Sequence, residues 1–313
     1  MADPRFTDEQ IFRERIDRIY GDHAAGVLAE LASQRAGACF WKNPLVTSTE
    51  DIEALDARPL PETHGVFFVE DREGLTHSRA AELGAIYIQN PSSYFAACTL
   101  GVQPDMEVLD LAAAPGGKTI ALAAMMANTG RLAAVEVVPG RFHRLKANAE
   151  RCGVTNAVFY QRDGRGVGRA TGERFDRVLL DAPCSSEARI RFDDLTTYHH
   201  WQPRKIKETS RKQRALIRSA YDALVPGGEM VYCTCSFAPE ENELVVAHLL
   251  RRTDAKLLPV ADCPGHAMAG LAVWAGKSLD ERLALTVRLL PRHPWEGFFL
   301  ARIQKPEADS EVP

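Results

Sequence analysis

The sequence predicts an α/β protein built on a mostly parallel sheet with helices on both faces. From residue 106 onward, short and almost wholly apolar runs alternate with helix-like segments. Strands of that composition are typical of parallel sheets whose two faces are both buried. A glycine turn, Gly116-Gly117, follows the first apolar run, as expected where a strand passes into a ligand-binding helix start.

Seven strands are predicted, at residues 106–112, 131–137, 157–161, 177–181, 229–234, 283–290 and 297–303. The intervening helices are expected at residues 119–127, 139–152, 208–224 and 240–251. Pro139 suits the start of the helix at residues 139–152. Pro226-Gly227-Gly228 is expected to end the long amphipathic helix at residues 208–224.

Residues 1–92 have a different pattern. Helix-like sequence at residues 8–31 is followed by two short apolar alternations, GVFFVED and AIYIQNP. We therefore expect a small N-terminal α+β accessory domain over residues 1–92, the main domain over residues 93–305 and a flexible tail over residues 306–313.

The composition indicates an ordinary globular protein, with 45% hydrophobic and 26% charged residues and a net charge of −4. The N-terminus is charged from the start and no apolar run approaches the roughly 20 residues of a membrane helix. Seven cysteines, an odd number, suggest free thiols in a reducing compartment, and the Cys233-Thr-Cys235 spacing is too tight for a zinc knuckle. We expect a cytoplasmic protein with no membrane association and no metal.

The stretch LDLAAAPGGKTIAL at residues 109–122 resembles the end of a phosphate-binding P-loop, which would indicate ATP hydrolysis. A P-loop needs a glycine five residues before Gly117, but Ala112 stands there. Glu136 follows nineteen residues after Gly117, at the end of the second predicted strand, where an acid accepts ribose hydroxyls. Asp163 follows the third strand and could accept from an adenine amino group. A dinucleotide and S-adenosylmethionine both fit, although the glycine spacing is not the dinucleotide pattern.

Two cysteine turns follow adjacent predicted strands, DAPCSS at residues 181–186 and TCS at residues 234–236. Adjacent strand ends would bring Cys184 and Cys235 into one cleft, where a thiolate with a lowered pKa is a strong nucleophile. Cys233 lies in the middle of a strand, and we interpret it as a small buried residue.

These motifs, AAPGGKT, DAPCSS and TCS in this order, resemble the Nop/Sun family of RNA cytosine-5 methyltransferases. YIQNPSS, PEENE and RLLPRHPWEGFFLARI are similar to that family as well, so the resemblance covers residues 85–303. It implies a Rossmann-like class I methyltransferase sheet of seven mostly parallel strands, preceded by the small α+β domain. It also implies S-adenosylmethionine as the cofactor and RNA as the substrate.

The resemblance further implies residue roles. Cys235 would add to carbon 6 of cytosine, Cys184 would assist product release, and Asp181 and Lys118 would orient or protonate the base. The cofactor would be held by a set that spans the glycine loop and the next strand ends: Ala112, Ala113, Ala114, Pro115, Gly116, Gly117, Lys118, Glu136, Asp163 and Asp181. Two details depart from the commoner family pattern, because Ser186 replaces a frequent glycine and Cys233 replaces a common serine.

A basic segment at residues 189–218 is the candidate RNA contact. It has nine basic and three acidic residues, a net charge of +6 within an acidic chain; the basic ones are Arg189, Arg191, Arg204, Lys205, Lys207, Arg211, Lys212, Arg214 and Arg218. Tyr198, His199, His200 and Trp201 interrupt it and could stack on bases. By analogy with the family, the segment would contact ribosomal RNA, naked or within a ribosomal subunit, with transfer RNA as the alternative. A non-catalytic assembly factor is disfavoured because both cysteines are intact.

Overall fold

A small sheet and a large sheet organise the chain in the computed structural model, which describes residues 4–33, 36–47, 55–63, 65–197 and 201–307. In its first part, the described elements are α1 (Pro4–Tyr20), α2 (Ala24–Ala32), β1 (Ala38–Lys42), β2 (Arg58–Pro59), β3 (Val66–Val69), α3 (Arg72–His77), α4 (Arg79–Leu83) and β4 (Ile86–Ile88). The strands form an antiparallel sheet in the order β2-β3-β1-β4. The helix-like sequence at residues 8–31 is therefore two helices, joined by a 3-10 turn at Gly21–His23.

The second part contains the remaining elements. Its helices are α5 (Pro91–Thr99), α6 (Gly117–Met125), α7 (Pro139–Arg151), α8 (Val167–Thr171), α9 (Pro203–Asp222) and α10 (Glu243–Leu250). Its strands are β5 (Glu107–Asp110), β6 (Arg131–Val135), β7 (Ala157–Tyr160), β8 (Phe175–Asp181), β9 (Leu224–Thr234), β10 (Lys256–Leu258), β11 (Ala267–Ala269), β12 (Val273–Trp274), β13 (Lys277–Ser278), β14 (Val287–Leu289) and β15 (Phe298–Gln304).

The large sheet has the strand order β7-β6-β5-β8-β9-β15-β14, with β11 beyond β14 and β10 also paired to β15. Strands β5 to β9 are parallel, and β15 is inserted antiparallel between β9 and β14. Within the described residues this sheet has nine strands where the sequence predicts seven, because β10 and β11 have only three residues each and leave no periodic pattern. Since β5 to β9 run in one direction, their carboxyl ends share one edge.

The Pro226-Gly227-Gly228 turn lies inside β9 and does not end the preceding helix. Helix α9 already ends at Asp222, and the β8–β9 pairing passes from Phe175–Leu224 directly to Arg177–Glu229. Residues 225–228 thus bulge from the ladder, where Gly227 has a φ of +78° and its N–H donates to the carbonyl of Lys305 at 3.0 Å. The predicted strand at residues 283–290 is also shorter than expected, since Glu281–Leu285 forms a 3-10 turn before β14.

Helices α1 and α2 pack on the large-sheet part of the molecule. Phe12, Ile16 and Leu31 belong to the same buried cluster as Phe237. The predicted domain limits at residues 92 and 305 stay predictions, and residues 308–313 of the predicted tail lie outside the described residues. None of the described helices combines the length and apolarity needed to cross a lipid bilayer.

Candidate active site

The glycine turn sits where β5 passes into α6. Gly116 has a φ of +113°, in the left-handed region that a residue with a side chain rarely adopts, and α6 begins at Gly117. A Cβ on Gly117 would lie 2.9 Å from a ring carbon of Tyr87 and 3.0 Å from the side-chain nitrogen of Gln89. The turn therefore packs directly against β4 and the residue that follows it, and this close approach closes one side of a cavity.

This cavity, of about 220 Å³, opens at the shared strand edge. Most of the predicted site residues line it, namely Ala112, Ala113, Ala114, Pro115, Gly117, Lys118, Asp181 and Cys235. Cys184, Gly116, Glu136 and Asp163 are not among its lining residues.

Further polar side chains line the cavity without being among the predicted catalytic or cofactor-binding residues: Tyr87, Gln89, Asn90, Ser93, Asp110, Arg189 and Glu296. Asp110 is the last residue of β5, and this position at a strand end predicts a site shared with Asp181 and Cys235, although the sequence assigns Asp110 no role of its own. Ser93 and Glu296 lie in the family-like stretches YIQNPSS and RLLPRHPWEGFFLARI, but the sequence assigns neither stretch a role in the site.

Lys118 and Asp181 form a partly buried ion pair at the cavity wall. The Nζ of Lys118 lies 2.7 Å from Oδ2 of Asp181 and donates to the Oγ of Ser93 at 2.5 Å. Burial lowers the pKa of Lys118, but the charge and hydrogen bond of Asp181, together with the charges of Cys233 and Asp110, outweigh this effect and the pKa lies above its ordinary value. The lysine is therefore a fixed cation that faces a carboxylate of this chain.

The two cysteine turns meet beside this pair. In the β8–β9 register Asp181 lies opposite Cys233, which places the turn after β8 next to the turn after β9. The Sγ atoms of Cys184 and Cys235 are 3.5 Å apart. Cys233 is completely buried, and burial raises its pKa well above the usual value, as expected for a residue in mid-strand.

The two thiols differ in their electrostatic environment. The hydrogen bond from Cys184 lowers the pKa of Cys235, and the positive charge of Arg189 acts in the same direction. The same hydrogen bond, together with burial, raises the pKa of Cys184 well above its usual value. The arrangement thus favours a thiolate on Cys235 and a thiol on Cys184.

A buried carboxylate, Glu187, supports the Cys235 turn. Its Oε2 accepts from the backbone N–H of Phe237 at 2.8 Å and from the Oγ of Ser236 at 3.1 Å. Its Oε1 accepts from Nε1 of Trp201 at 2.8 Å. Trp201 is only 3% exposed, so its predicted role in stacking on RNA bases is wrong: it fills the core beside Phe12. Tyr198, His199 and His200 lie outside the described residues.

The two predicted adenosine ligands have different surroundings. Glu136 is buried, its Oε1 accepts from the N–H of Val138 at 2.8 Å, and its Oε2 lies 3.7 Å from Arg141. Asp163 is exposed, and its Oδ2 lies 2.5 Å from Nη2 of Arg165. Hydrogen bonds from Arg165 keep the pKa of Asp163 below its ordinary value. Such an exposed pair contributes little free energy, so a ligand could replace it.

The basic segment does not form one surface at the cavity. Arg189 lines the cavity and Arg191 lines a neighbouring groove of about 520 Å³. The other seven basic residues lie on α9, and none of them lines the cavity. Within the described ranges, no group of three or more His, Cys, Asp or Glu side chains is arranged to hold a metal ion.

Comparison with known proteins identifies the family. The sequence profile of the 16S rRNA methyltransferase RsmB/F matches residues 97–304. The chain belongs to the RsmB/F methyltransferase family. Proteins of the RsmB/F family are S-adenosylmethionine-dependent RNA cytosine methyltransferases, which confirms the predicted family resemblance, fold class and cofactor. The P-loop interpretation of Lys118 is accordingly set aside.

Individual relatives of the chain have different RNA substrates in their names. A tRNA (cytosine(49)-C(5))-methyltransferase of Pyrococcus abyssi is 37% identical over 84% of this chain and 86% of that protein. A ribosomal RNA small subunit methyltransferase F of Escherichia coli is 39% identical over 87% of this chain, but this chain spans only 57% of that protein. The crystal structure of a methyltransferase homolog protein from Pyrococcus horikoshii has a TM-score of 0.81 at 32% identity, with 94% of each chain covered.

Proposed function

We propose that this chain transfers the methyl group of S-adenosylmethionine to carbon 5 of a cytidine in RNA, with ribosomal RNA as the favoured substrate. The observation that carries the proposal is the thiol pair. Cys235 lines the cavity that the glycine loop also lines, and its Sγ lies 3.5 Å from that of Cys184. No other arrangement in the described part of the chain combines a polarised nucleophile with that loop.

The chemistry follows from the weakness of carbon 5 as a nucleophile. The thiolate of Cys235 adds to carbon 6 of the ring and shifts electron density to carbon 5. S-adenosylmethionine, when bound, supplies the methyl group that carbon 5 accepts. A base then removes the proton of carbon 5, the bond between Cys235 and carbon 6 breaks, and the aromatic ring is restored. Cys184 is placed to act on this last stage, since its thiol contacts the sulfur that leaves.

Lys118 and Asp181 orient the target base. An ammonium group has three protons, and two of those of Lys118 are donated to Asp181 and Ser93, which leaves one for the ring nitrogen or carbonyl of cytosine. The side chain of Asp181 is 34% exposed, so its carboxylate can accept from the cytosine amino group. Both contacts stabilise the ring as carbon 6 is attacked.

The cavity suits the cofactor. Asp110 is 1% exposed and lines the cavity, and its Oδ1 has no hydrogen-bond partner. A buried carboxylate oxygen without a partner matches a ligand with a cationic ammonium and sulfonium group. Glu136 and Asp163 follow the next two strands along the same edge, where the ribose and the adenine would bind.

RNA contacts near the target base come from the start of the basic segment. Arg189 and Arg191 lie at the cavity and the adjoining groove, which suits them to the phosphates on either side of an unstacked cytidine. The polar face of α9 would contact the RNA backbone farther from the site, in naked RNA or in a ribosomal subunit.

Transfer RNA is the second candidate substrate. The Pyrococcus abyssi protein whose name specifies transfer RNA is matched over 86% of its length, more than the 57% of the Escherichia coli protein. Ribosomal RNA is favoured because the family profile and the relatives from Escherichia coli and Vibrio vulnificus carry that substrate in their names.

The test is methyl transfer from tritium-labelled S-adenosylmethionine to total RNA from cells that lack this protein, with the labelled nucleoside identified by mass. We expect 5-methylcytidine with the wild type and none with Cys235→Ala. The size of the labelled RNA distinguishes ribosomal from transfer RNA. If neither naked RNA nor isolated ribosomal subunits accept label, the chain is a non-catalytic RNA-binding factor and the proposal is wrong.

A further inference from the structure

A carboxylate that the mechanism does not use lies behind the two cysteine turns. Glu241 is completely buried and does not line the cavity. Its two oxygens accept from the backbone N–H of Ser185 at 3.0 and 3.2 Å and from the Oγ of Ser185. They also accept from the Oγ1 of Thr209 and from Nε2 of Gln213 at 3.3 Å. Every one of these contacts is a donation to Glu241, which suits an ionised, acceptor-only carboxylate.

Glu241 differs from the nearby acids in the same segment. Glu240 is paired with Arg15 at 2.7 Å, and Glu243 is paired with Arg288 at 2.6 Å. No Lys, Arg or His among the described residues forms an ion pair with Glu241. A buried charge held only by neutral donors is costly to keep, which points to a role beyond stability.

The contacts of Glu241 join the two turns. Ser185 follows Cys184 directly, and its Oγ lies 3.1 Å from the Oγ of Ser236, which follows Cys235. Gln213 of α9, a second neighbour of Glu241, donates to the carbonyl of Pro183 at 2.8 Å. The Cys184 turn is thus fixed from both sides by groups that Glu241 holds.

We propose that Glu241 is a positioning residue that clamps the Cys184 turn against the Cys235 turn and keeps the shared proton on Cys184. This inference rests on the proposed function, in which Cys235 attacks as a thiolate and Cys184 acts as a thiol. The charges around the pair are arranged to match, because the negative Glu241 acts on Cys184 whereas the positive Arg189 acts on Cys235. Removing the negative charge makes the two thiols more alike.

Other titratable groups lie around the pair and are retained in the variants at Glu240 and Glu241: Lys118 of α6, Asp181 of β8, Glu187 and Arg189 after the Cys184 turn, Tyr232 and Cys233 of β9, and Glu296 before β15. The charge of Glu241 also raises the pKa of Glu187 and of Tyr232, so its removal lowers both in the Gln variant.

The test is alkylation by iodoacetamide as a function of pH, with each cysteine peptide quantified by mass spectrometry, in the wild type, Glu241→Gln and Glu240→Gln. In the wild type, Cys235 should react at lower pH than Cys184. In Glu241→Gln, the reactivity ratio of Cys235 to Cys184 near neutral pH should fall about tenfold, which corresponds to a change of one unit in the pKa difference. Glu240→Gln, which removes an acid next in sequence, should behave as the wild type. A wild-type ratio in a folded Glu241→Gln protein would overturn the proposal.

Glu241→Asp separates charge from geometry and serves if the Gln variant does not fold. It keeps the negative charge but is one methylene shorter, so the alkylation ratio should stay within about twofold of the wild type. Its kcat should fall about tenfold or more with an unchanged KM for S-adenosylmethionine, because Glu241 does not line the cavity. A wild-type kcat in Glu241→Asp would overturn the clamping role. Loss of the wild-type alkylation ratio of Cys235 to Cys184 in this variant would overturn the role of the charge. The alkylation experiment needs no methyl transfer, so its failure is distinguishable from failure of the proposed function.

Discussion

The sulfur atoms of Cys184 and Cys235 lie 3.5 Å apart, although 51 residues separate them in the chain. Parallel strands β8 and β9 end at the same edge of the sheet and bring the two turns into contact. The contact makes the pair unequal, since the hydrogen bond between the thiols lowers the pKa of Cys235 and raises that of Cys184, and Arg189 favours a negative charge on Cys235. Because of this asymmetry, we expect the replacement of Cys235 and the replacement of Cys184 to affect the reaction in different ways.

Replacing Cys235 by Ala should reduce methyl transfer at least about a thousandfold, because the nucleophile is lost. Cys233 should not substitute for it, since its side chain is buried within β9 and burial raises its pKa well above the ordinary value. The measurement is initial rate with labelled cofactor for Cys235→Ala and for the double variant Cys235→Ala/Cys233→Ser. Equal residual rates are expected, whereas a lower rate in the double variant would show that Cys233 replaces the nucleophile.

Replacing Cys184 by Ala should trap an RNA–protein adduct, because Cys235 still attacks but its release is no longer assisted. The adduct should appear as a denaturation-resistant band that contains labelled RNA. Cys263→Ala provides a control at a half-buried cysteine that does not line the cavity, and it should give no band. Without a band in Cys184→Ala, the release role is unsupported.

Glu136→Gln should weaken S-adenosylmethionine binding about tenfold and leave RNA binding unchanged. The amide oxygen can still accept from Val138, so the loop is kept while the charged acceptor for ribose hydroxyls is lost. Isothermal titration with each ligand measures this, with the exposed Glu150→Gln on α7 as the control. A larger loss for RNA than for the cofactor contradicts the assignment.

Ser186→Gly should raise the free energy of unfolding by about 1 kcal/mol. Ser186 has a φ of +59°. This left-handed conformation costs roughly 1–2 kcal/mol for residues with a Cβ, partly offset by the greater unfolded freedom of glycine. Urea denaturation measures the change. Ser186→Ala keeps the Cβ and should bring no gain; equal stabilisation by both variants would exclude backbone strain as the cause.

The stability of the cofactor-free protein should depend on Asp110. Burial raises the pKa of this carboxyl from 3.8 to about 7, although the hydrogen bond from Thr119 opposes the shift. Between these values the folded protein holds a proton that the unfolded chain has released, so the free energy of unfolding falls as pH rises. Asp110→Asn lacks this effect and should gain roughly 2–4 kcal/mol relative to the wild type between about pH 4 and about pH 8. If the urea midpoints of the wild type and Asp110→Asn differ by the same amount at about pH 4 and about pH 8, the raised pKa of Asp110 is refuted.

The parallel sheet and the two cysteine turns could be predicted from the amino-acid sequence. Continuous apolar runs can be satisfied only by burial on both faces, and motifs that directly follow such runs must lie at one edge of the sheet. For this reason Asp181 and Cys235 could be expected at one edge of the sheet from their positions in the chain, whereas the role of Lys118 followed from the family resemblance.

The distant groups that complete the site are brought together by tertiary packing and could not be predicted from the sequence. Ser93 contacts Lys118 across 25 residues, and Glu241 holds Ser185 across 56. Trp201 has no local signal that separates a stacking surface from a core position, and its burial depends on packing by α1. The pairing of Asp163 with Arg165 and the bulge at residues 225–228 likewise depend on which of several possible contacts form when the chain packs. Local periodicity specifies which face of an element is apolar, but the partner of a polar group depends on how the elements pack together.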